Sequence, residues 1–199
     1  SHLVERLLKD GHDVTAMVRY RSDGSTGHIR PANLQAGGKL EIVRGDIKDA
    51  GFVKNIVYKK DVVYHLAAQV SVPYSTRCPE DAFETNALGT LNVLQAARVL
   101  DSPHIILMST SEVYGTVGKG AIDEGHPLRA QSPYAASKIA AEKLVESYAQ
   151  TYGIQTTIIR AFNTYGPRQT VRAVIPAIIS QMVERPGRET IFLGHTMSV

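Results

Sequence analysis

A chain of 199 residues, 43% hydrophobic and 21% charged, is long enough to bury one full core and has the composition of an ordinary globular domain, with no disordered tail. Its net charge of +3 comes from scattered Lys and Arg, with Lys59-Lys60 the longest basic run, which argues against a nucleic-acid surface. Cys78 is the single cysteine and rules out an internal disulfide; no apolar run approaches the roughly 20 residues of a membrane span, and no charged-then-apolar leader opens the chain, so a cytoplasmic protein is expected.

The chain opens on an amphipathic helix over 2–10 that ends at Gly11, followed by strands over 14–19, 40–45 and 61–66. A helix over 80–99, a strand over 104–109, a helix over 133–151, a strand over 155–160 and a helix over 172–184 complete the pattern. This alternation predicts an α/β fold, a Rossmann-like doubly wound parallel sheet with helices on both faces. The runs Val62-Val63-Tyr64-His65-Leu66, His104-Ile105-Ile106-Leu107-Met108 and Thr156-Thr157-Ile158-Ile159 are nearly continuous and predict strands buried on both faces. Segments 21–38 and 115–131, rich in Gly, Ser and Pro, read as loops, and loops at strand carboxyl ends are where such folds place their sites.

Two segments carry chemistry. Ser109-Thr110-Ser111-Glu112-Val113-Tyr114-Gly115 brings hydroxyls and a carboxylate to a strand end, and Tyr134-Ala135-Ala136-Ser137-Lys138 sets a phenol and an ammonium one helical turn apart. A lysine at that spacing lowers a phenol's pKa from roughly 10 and makes it a usable base. His65 sits in an apolar strand and reads as a core histidine, and Cys78 has no metal-ligand spacing around it, so no metal site is expected.

With these segments in order, and with Gly45-Asp46-Ile47, His65-Leu66-Ala67-Ala68-Gln69, Asn86-Ala87-Leu88-Gly89-Thr90 and Arg160-Ala161-Phe162-Asn163-Thr164-Tyr165-Gly166-Pro167-Arg168 beside them, the chain resembles the extended short-chain dehydrogenase/reductase superfamily in its nucleotide-sugar epimerase/dehydratase branch. The resemblance covers essentially the whole chain. Family members open with a strand and a glycine-rich phosphate-binding turn, and Ser1 resembles the residue just after that turn. The family also continues past the position of Val199 into a substrate lobe. The resemblance therefore implies a dinucleotide-binding domain over 1–199 that lacks its first strand and most of that lobe, the lobe beginning at about 163. A missing central strand would leave two halves of the sheet unpaired.

The resemblance implies that Thr110 and Tyr134 bracket the hydroxyl at carbon 4 of a sugar, that Lys138 also holds the nicotinamide ribose, and that Glu112 takes the proton at carbon 5. Asp46 and Ile47 would flank the adenine, and Leu66, Ala67 and Ala68 would line the cofactor after the strand. Ser71, Ser111, Asn163 and Arg168 would meet substrate, with Tyr74 a further loop candidate and Asn86 a brace. Arg19 and Arg21 stand where a carboxylate would select NAD, and so favour the 2′-phosphate of NADP, with NAD the alternative. Ser111 replaces the Asp of an Asp-Glu pair found in many glucose-type dehydratases. The sequence around Asn163 and Arg172-Ala173-Val174-Ile175-Pro176 looks more like the legionaminate-pathway UDP-N-acetylglucosamine or GDP-mannose type of 4,6-dehydratase. Alternatives are a UDP-glucuronate decarboxylase, a 4-epimerase, or a dinucleotide-binding protein without turnover. A nucleotide-sugar substrate and a homodimer through the helices at 80–99 and 133–151 complete what the resemblance implies.

Overall fold

The computed structural model describes residues 1–29, 37–100, 103–118, 120–171, 173–184 and 190–192. Part of the loop expected over 21–38, and Arg172, lie outside the described residues. The chain divides into two compact units, Ser1–Phe162 and Asn163–Val199.

The first unit runs α1 (His2–Lys9), β1 (Val14–Val18), β2 (Leu40–Arg44), α2 (Ala50–Val57), β3 (Val62–His65), α3 (Val72–Arg77) and α4 (Pro79–Phe83). A π-helical turn, Glu84–Leu88, then leads directly into α5 (Gly89–Val99), followed by β4 (His104–Thr110), a 3₁₀ turn (Ser111–Tyr114), α6 (Pro133–Tyr152) and β5 (Thr156–Ala161). The second unit carries α7 (Val174–Glu184). Every expected strand is present. Two short helices, α2 and α3, add to the expected set; each is opened by a side-chain cap, Asp49 Oδ1 accepting from Phe52 N–H at 3.0 Å and Ser71 Oγ from Tyr74 N–H at 3.3 Å. The helix expected over 80–99 is a single run broken by the π turn.

All strand pairs are parallel, and the sheet comes in two pieces, β1–β2 and β3–β4–β5. These are the two unpaired halves of the sheet that the resemblance implies. Val14 pairs with Leu40 and Val18 with Arg44 in the first piece, while His65 pairs with Leu107, and Thr110 with Ala161, in the second. β4 and β5 therefore end together, β3 stops three residues short of them, and the parallel run brings the carboxyl ends of all three to the same side of this sheet piece.

The expectation of burial on both faces is corrected. On one face Ile105 and Leu107 are buried and join Val53, Leu94, Ala141 and Val145 of α2, α5 and α6 in the core, with Ser109 also buried. On the other, Val62, Tyr64 and Ile159 are exposed and Ile106 and Met108 half-buried. Apolar runs report what a strand is able to bury; covering both faces needs helices on both, and the core formed among the described residues lies on the first.

The turn after β2 is locked against the helical run. Ile47 is buried, Asn92 Nδ2 donates to the carbonyls of Ile47 and Lys48 at 3.0 and 3.2 Å, and Lys48 Nζ reaches Asp81 at 3.1 Å. Gly89 permits this approach, because a Cβ there would stand 2.9 Å from Cγ2 of Ile47. Gly89→Ala should gain about 1 kcal/mol of helix propensity and lose about 1–3 kcal/mol to overpacking. A net fall in thermal stability is expected, and a stabilised variant would show that the turn and helix part freely.

Candidate active site

The second sheet piece builds the site at its carboxyl rim. Thr110, the last residue of β4, caps the 3₁₀ turn, its Oγ1 accepting from Glu112 N–H at 3.2 Å. This turn swings Val113 and Tyr114 into the core and leaves the Glu112 carboxylate exposed at the rim. Gly115 closes it with φ at +65°, a conformation a side chain would strain.

Helix α6 arrives from the other side. Ser132 Oγ accepts from Ala135 N–H at 3.1 Å and Pro133 fills the first turn, so the helix is well started just where Tyr134 must be fixed. Ser75, fully buried on α3, accepts from Tyr134 N–H at 3.2 Å and donates to the Val72 carbonyl at 2.7 Å.

Tyr134 and Lys138 are both buried, and the Tyr134 phenol hydrogen-bonds the Thr110 side chain. Burial raises the phenol's pKa, the Thr110 bond works against that, and the Glu112 charge raises it further. The expected depression by Lys138 is therefore not what this arrangement shows. Lys138 Nζ points at β4 and donates to the Met108 carbonyl at 2.6 Å. Burial pushes Lys138 down to about 8, against the upward pull of Glu142 one turn along the helix.

A polar cluster braces this pair. Asn86, on the π turn, accepts from Gln69 N–H through Oδ1 at 2.8 Å, and its Nδ2 donates to the Gln69 carbonyl at 3.0 Å and to Ser137 Oγ at 2.9 Å. The loop after β3 is thereby pinned to α6. Thr90 gives its single hydroxyl proton to the Asn86 carbonyl at 2.5 Å, so His65 Nε2, 2.9 Å from the same oxygen, must be the donor. Buried and close to the Lys138 charge, His65 is pushed down to about 3 and stays neutral, a core histidine. Asn86→Ala should destabilise the protein by about 1–3 kcal/mol and speed amide exchange at Gln69; unchanged exchange there would mean the loop is held by something else.

Other expected residues fall in three places. Leu66 is half exposed and Ala67 and Ala68 half-buried, on the β3 rim. Ser71 spends its oxygen on the α3 cap, Ser111 is half-buried at the start of the 3₁₀ turn, and Asp46 Oδ1 accepts from Lys48 N–H at 3.0 Å. Ile47 is a core residue, Arg19 is exposed, and Arg21 pairs with Asp23 at 3.2 Å. Asn163 and Arg168 belong to the second unit.

Sequence reasoning missed Ser75, Ser109, Glu142 and the partners of Arg160. One signal was available: Glu142 is a charge on the apolar face of α6, four residues after Lys138.

The first unit is thus a parallel α/β unit that carries Thr110, Glu112, Tyr134 and Lys138 at the carboxyl end of one sheet piece. The family profile of GDP-mannose 4,6-dehydratase matches residues 1–198, and the chain belongs to that family. It is 34% identical over 189 residues to a dTDP-glucose 4,6-dehydratase of Actinoplanes sp., covering 92% of this chain and 59% of that protein. A putative UDP-glucose 4-epimerase of Methanocaldococcus jannaschii shows the same identity and coverage. The crystal structure of a dTDP-glucose 4,6-dehydratase of Streptomyces venezuelae with NAD bound superposes with a TM-score of 0.84 at 31% identity, over 92% of this chain and 58% of that one. The chain thus spans less than two thirds of the length of these relatives. No helix among the described residues is long and apolar enough to cross a membrane.

Proposed function

We propose that this chain carries the catalytic residues of a nucleotide-sugar 4,6-dehydratase. The observation that supports it best is the Glu112 carboxylate, close enough to Tyr134 for its charge to act on the phenol. Dehydration needs a second base beside the one that serves carbon 4; epimerisation at carbon 4 does not.

The donor set fits a nicotinamide ribose. Lys138 carries three N–H donors and gives one to Met108, which leaves two for ribose hydroxyls beside the Leu66–Ala68 rim. When bound, the oxidised cofactor supplies a hydride acceptor that later returns the hydride, and a positive charge that favours phenolate.

Tyr134, held by Thr110, accepts the proton of the carbon-4 hydroxyl as the carbon-4 hydride departs. The resulting ketone acidifies the carbon-5 hydrogen, and Glu112 takes that proton. Glu112, or a water held by Ser111, protonates the carbon-6 hydroxyl as it leaves as water. The hydride is then delivered to carbon 6, and the proton that Tyr134 took from the carbon-4 hydroxyl is passed on, through solvent, to carbon 5, so protons balance and no net oxidation occurs.

The finer assignments follow the same residues. Arg19 supports NADP, and the Arg21–Asp23 pair weakens Arg21's share in that; tighter binding of NAD in a direct titration would assign NAD. Ser111 beside Glu112 favours a GDP-mannose or UDP-N-acetylglucosamine substrate. The unit from Asn163 onward is read as the start of a substrate lobe, contributing Asn163 and Arg168. The exposed Phe83, on a cleft lined also by Pro79, Glu80, Glu84, Pro133 and Ala136, supports a homodimer through α4–α5 and α6.

The test is mass spectrometry of UDP-N-acetylglucosamine, GDP-mannose, dTDP-glucose and UDP-glucuronate after incubation with the protein and NAD or NADP. Loss of one water from one of them is expected. Loss of carbon dioxide would make it a decarboxylase, an unchanged mass with a new sugar configuration an epimerase, and cofactor binding without turnover a non-catalytic dinucleotide-binding protein.

A further inference from the structure

We propose that Glu142 and Arg160 form a buried positioning pair that sets the charge of Lys138 and fixes the hydroxylic end of β4, and that the reaction depends on them although neither touches substrate. This rests on the reading above only for its kinetic consequence.

The pair lies directly beneath the rim. The Glu142 side chain is fully buried on α6, and Arg160 on β5 grips it with both ends of the guanidinium, Nε at 3.1 Å from each carboxylate oxygen and Nη2 at 2.8 Å from Oε2. Ser109, one residue before Thr110, donates its hydroxyl to the same carboxylate. Arg160 Nη1 donates to the Tyr114 hydroxyl at 3.0 Å and to the Glu124 carbonyl at 2.9 Å. Two charges and three further hydrogen-bonding partners thus tie α6, β4, β5, the 3₁₀ turn and the 115–131 loop at one point.

The cost of such burial calls for a use. An ion pair taken out of water is generally no more stabilising than well-packed apolar residues of similar volume, and this one is placed where its sign matters. Glu142 stands at i+4 from Lys138, which also faces His65 on β3 and the Met108 carbonyl on β4, with Tyr134 four residues before it on α6. His65 is neutral, so Glu142 is the close negative charge that keeps Lys138 an ammonium against its burial. A neutral lysine would offer two donors where the ammonium offers three.

The decisive experiment follows the NMR titration of Lys138, labelled with carbon-13 at Cε and assigned by its loss in Lys138→Met. In Glu142→Gln the Lys138 midpoint should fall by about one pH unit, and Glu142→Asp should restore most of it. Should Glu142→Gln fail to fold, Glu142→Met/Arg160→Met removes the pair without leaving a lone charge and should show the same direction of shift. The alkaline limb of kcat/KM should move down with it, which a merely structural residue would not cause. A folded Glu142→Gln or double variant with an unmoved Lys138 overturns the proposal. A shifted Lys138 in a protein that turns over no nucleotide sugar would instead sink the dehydratase reading and leave the pair standing.

Discussion

In the Glu112→Gln protein, loss of water from the sugar is expected to fall by roughly 10²–10⁴-fold, the usual weight of a positioned acid-base group, while oxidation at carbon 4 continues. The proposed mechanism gives the two steps different bases: Tyr134 and Thr110, on α6 and at the end of β4, for carbon 4, and Glu112, on the 3₁₀ turn, for carbon 5. The substitution also removes a charge that holds the Tyr134 pKa up. Its folded value should drop, so the phenolate becomes available at lower pH and the acidic limb of carbon-4 oxidation should move to lower pH. Single-turnover absorbance of the reduced nicotinamide reads the first step and product mass the second. Undiminished water loss would remove Glu112 from the mechanism.

Arg160→Ala is expected to cost about 3–5 kcal/mol, because it strands a fully buried carboxylate. For a chain of this size that corresponds to a Tm lower by roughly 6–20 °C. Tyr114 and the Glu124 carbonyl would lose their donor as well. The double variant Glu142→Met/Arg160→Met should recover most of this loss, since packing replaces the pair without leaving a charge behind. Denaturant unfolding of the parent and the two variants measures both losses. A single variant as stable as its parent would mean water reaches Glu142.

The strands were legible because each is a short apolar run bounded by turn residues, and α6 because nineteen helix-compatible residues follow Ser132-Pro133. Helices α2 and α3 were not. Eight and six residues hold too few turns to show a period, Gly51 and Pro73 argue locally against a helix, and what starts them is one capping oxygen each, from Asp49 and Ser71. Of the site, Tyr134, Lys138, Thr110 and Glu112 stood out because their spacing is local. Glu142 and Arg160 are 18 positions apart on different elements and meet only through the β4–β5 register that sets Ser109 beside Arg160. No local pattern encodes that meeting, and none marks a strand face that goes uncovered.

The π turn at Glu84–Leu88 makes residue number itself a determinant of the site. One extra residue per turn rotates the backbone by roughly 100° relative to an uninterrupted α-helix, and that rotation is what presents Asn86 to Gln69 and Ser137. Deleting any single residue between Glu84 and Leu88 would let the run relax into a more regular helix and carry Asn86 off its partners, even if every remaining side chain were kept. Lineages of this chain should accordingly accept substitutions along α4 and α5 far more readily than a change of length between them.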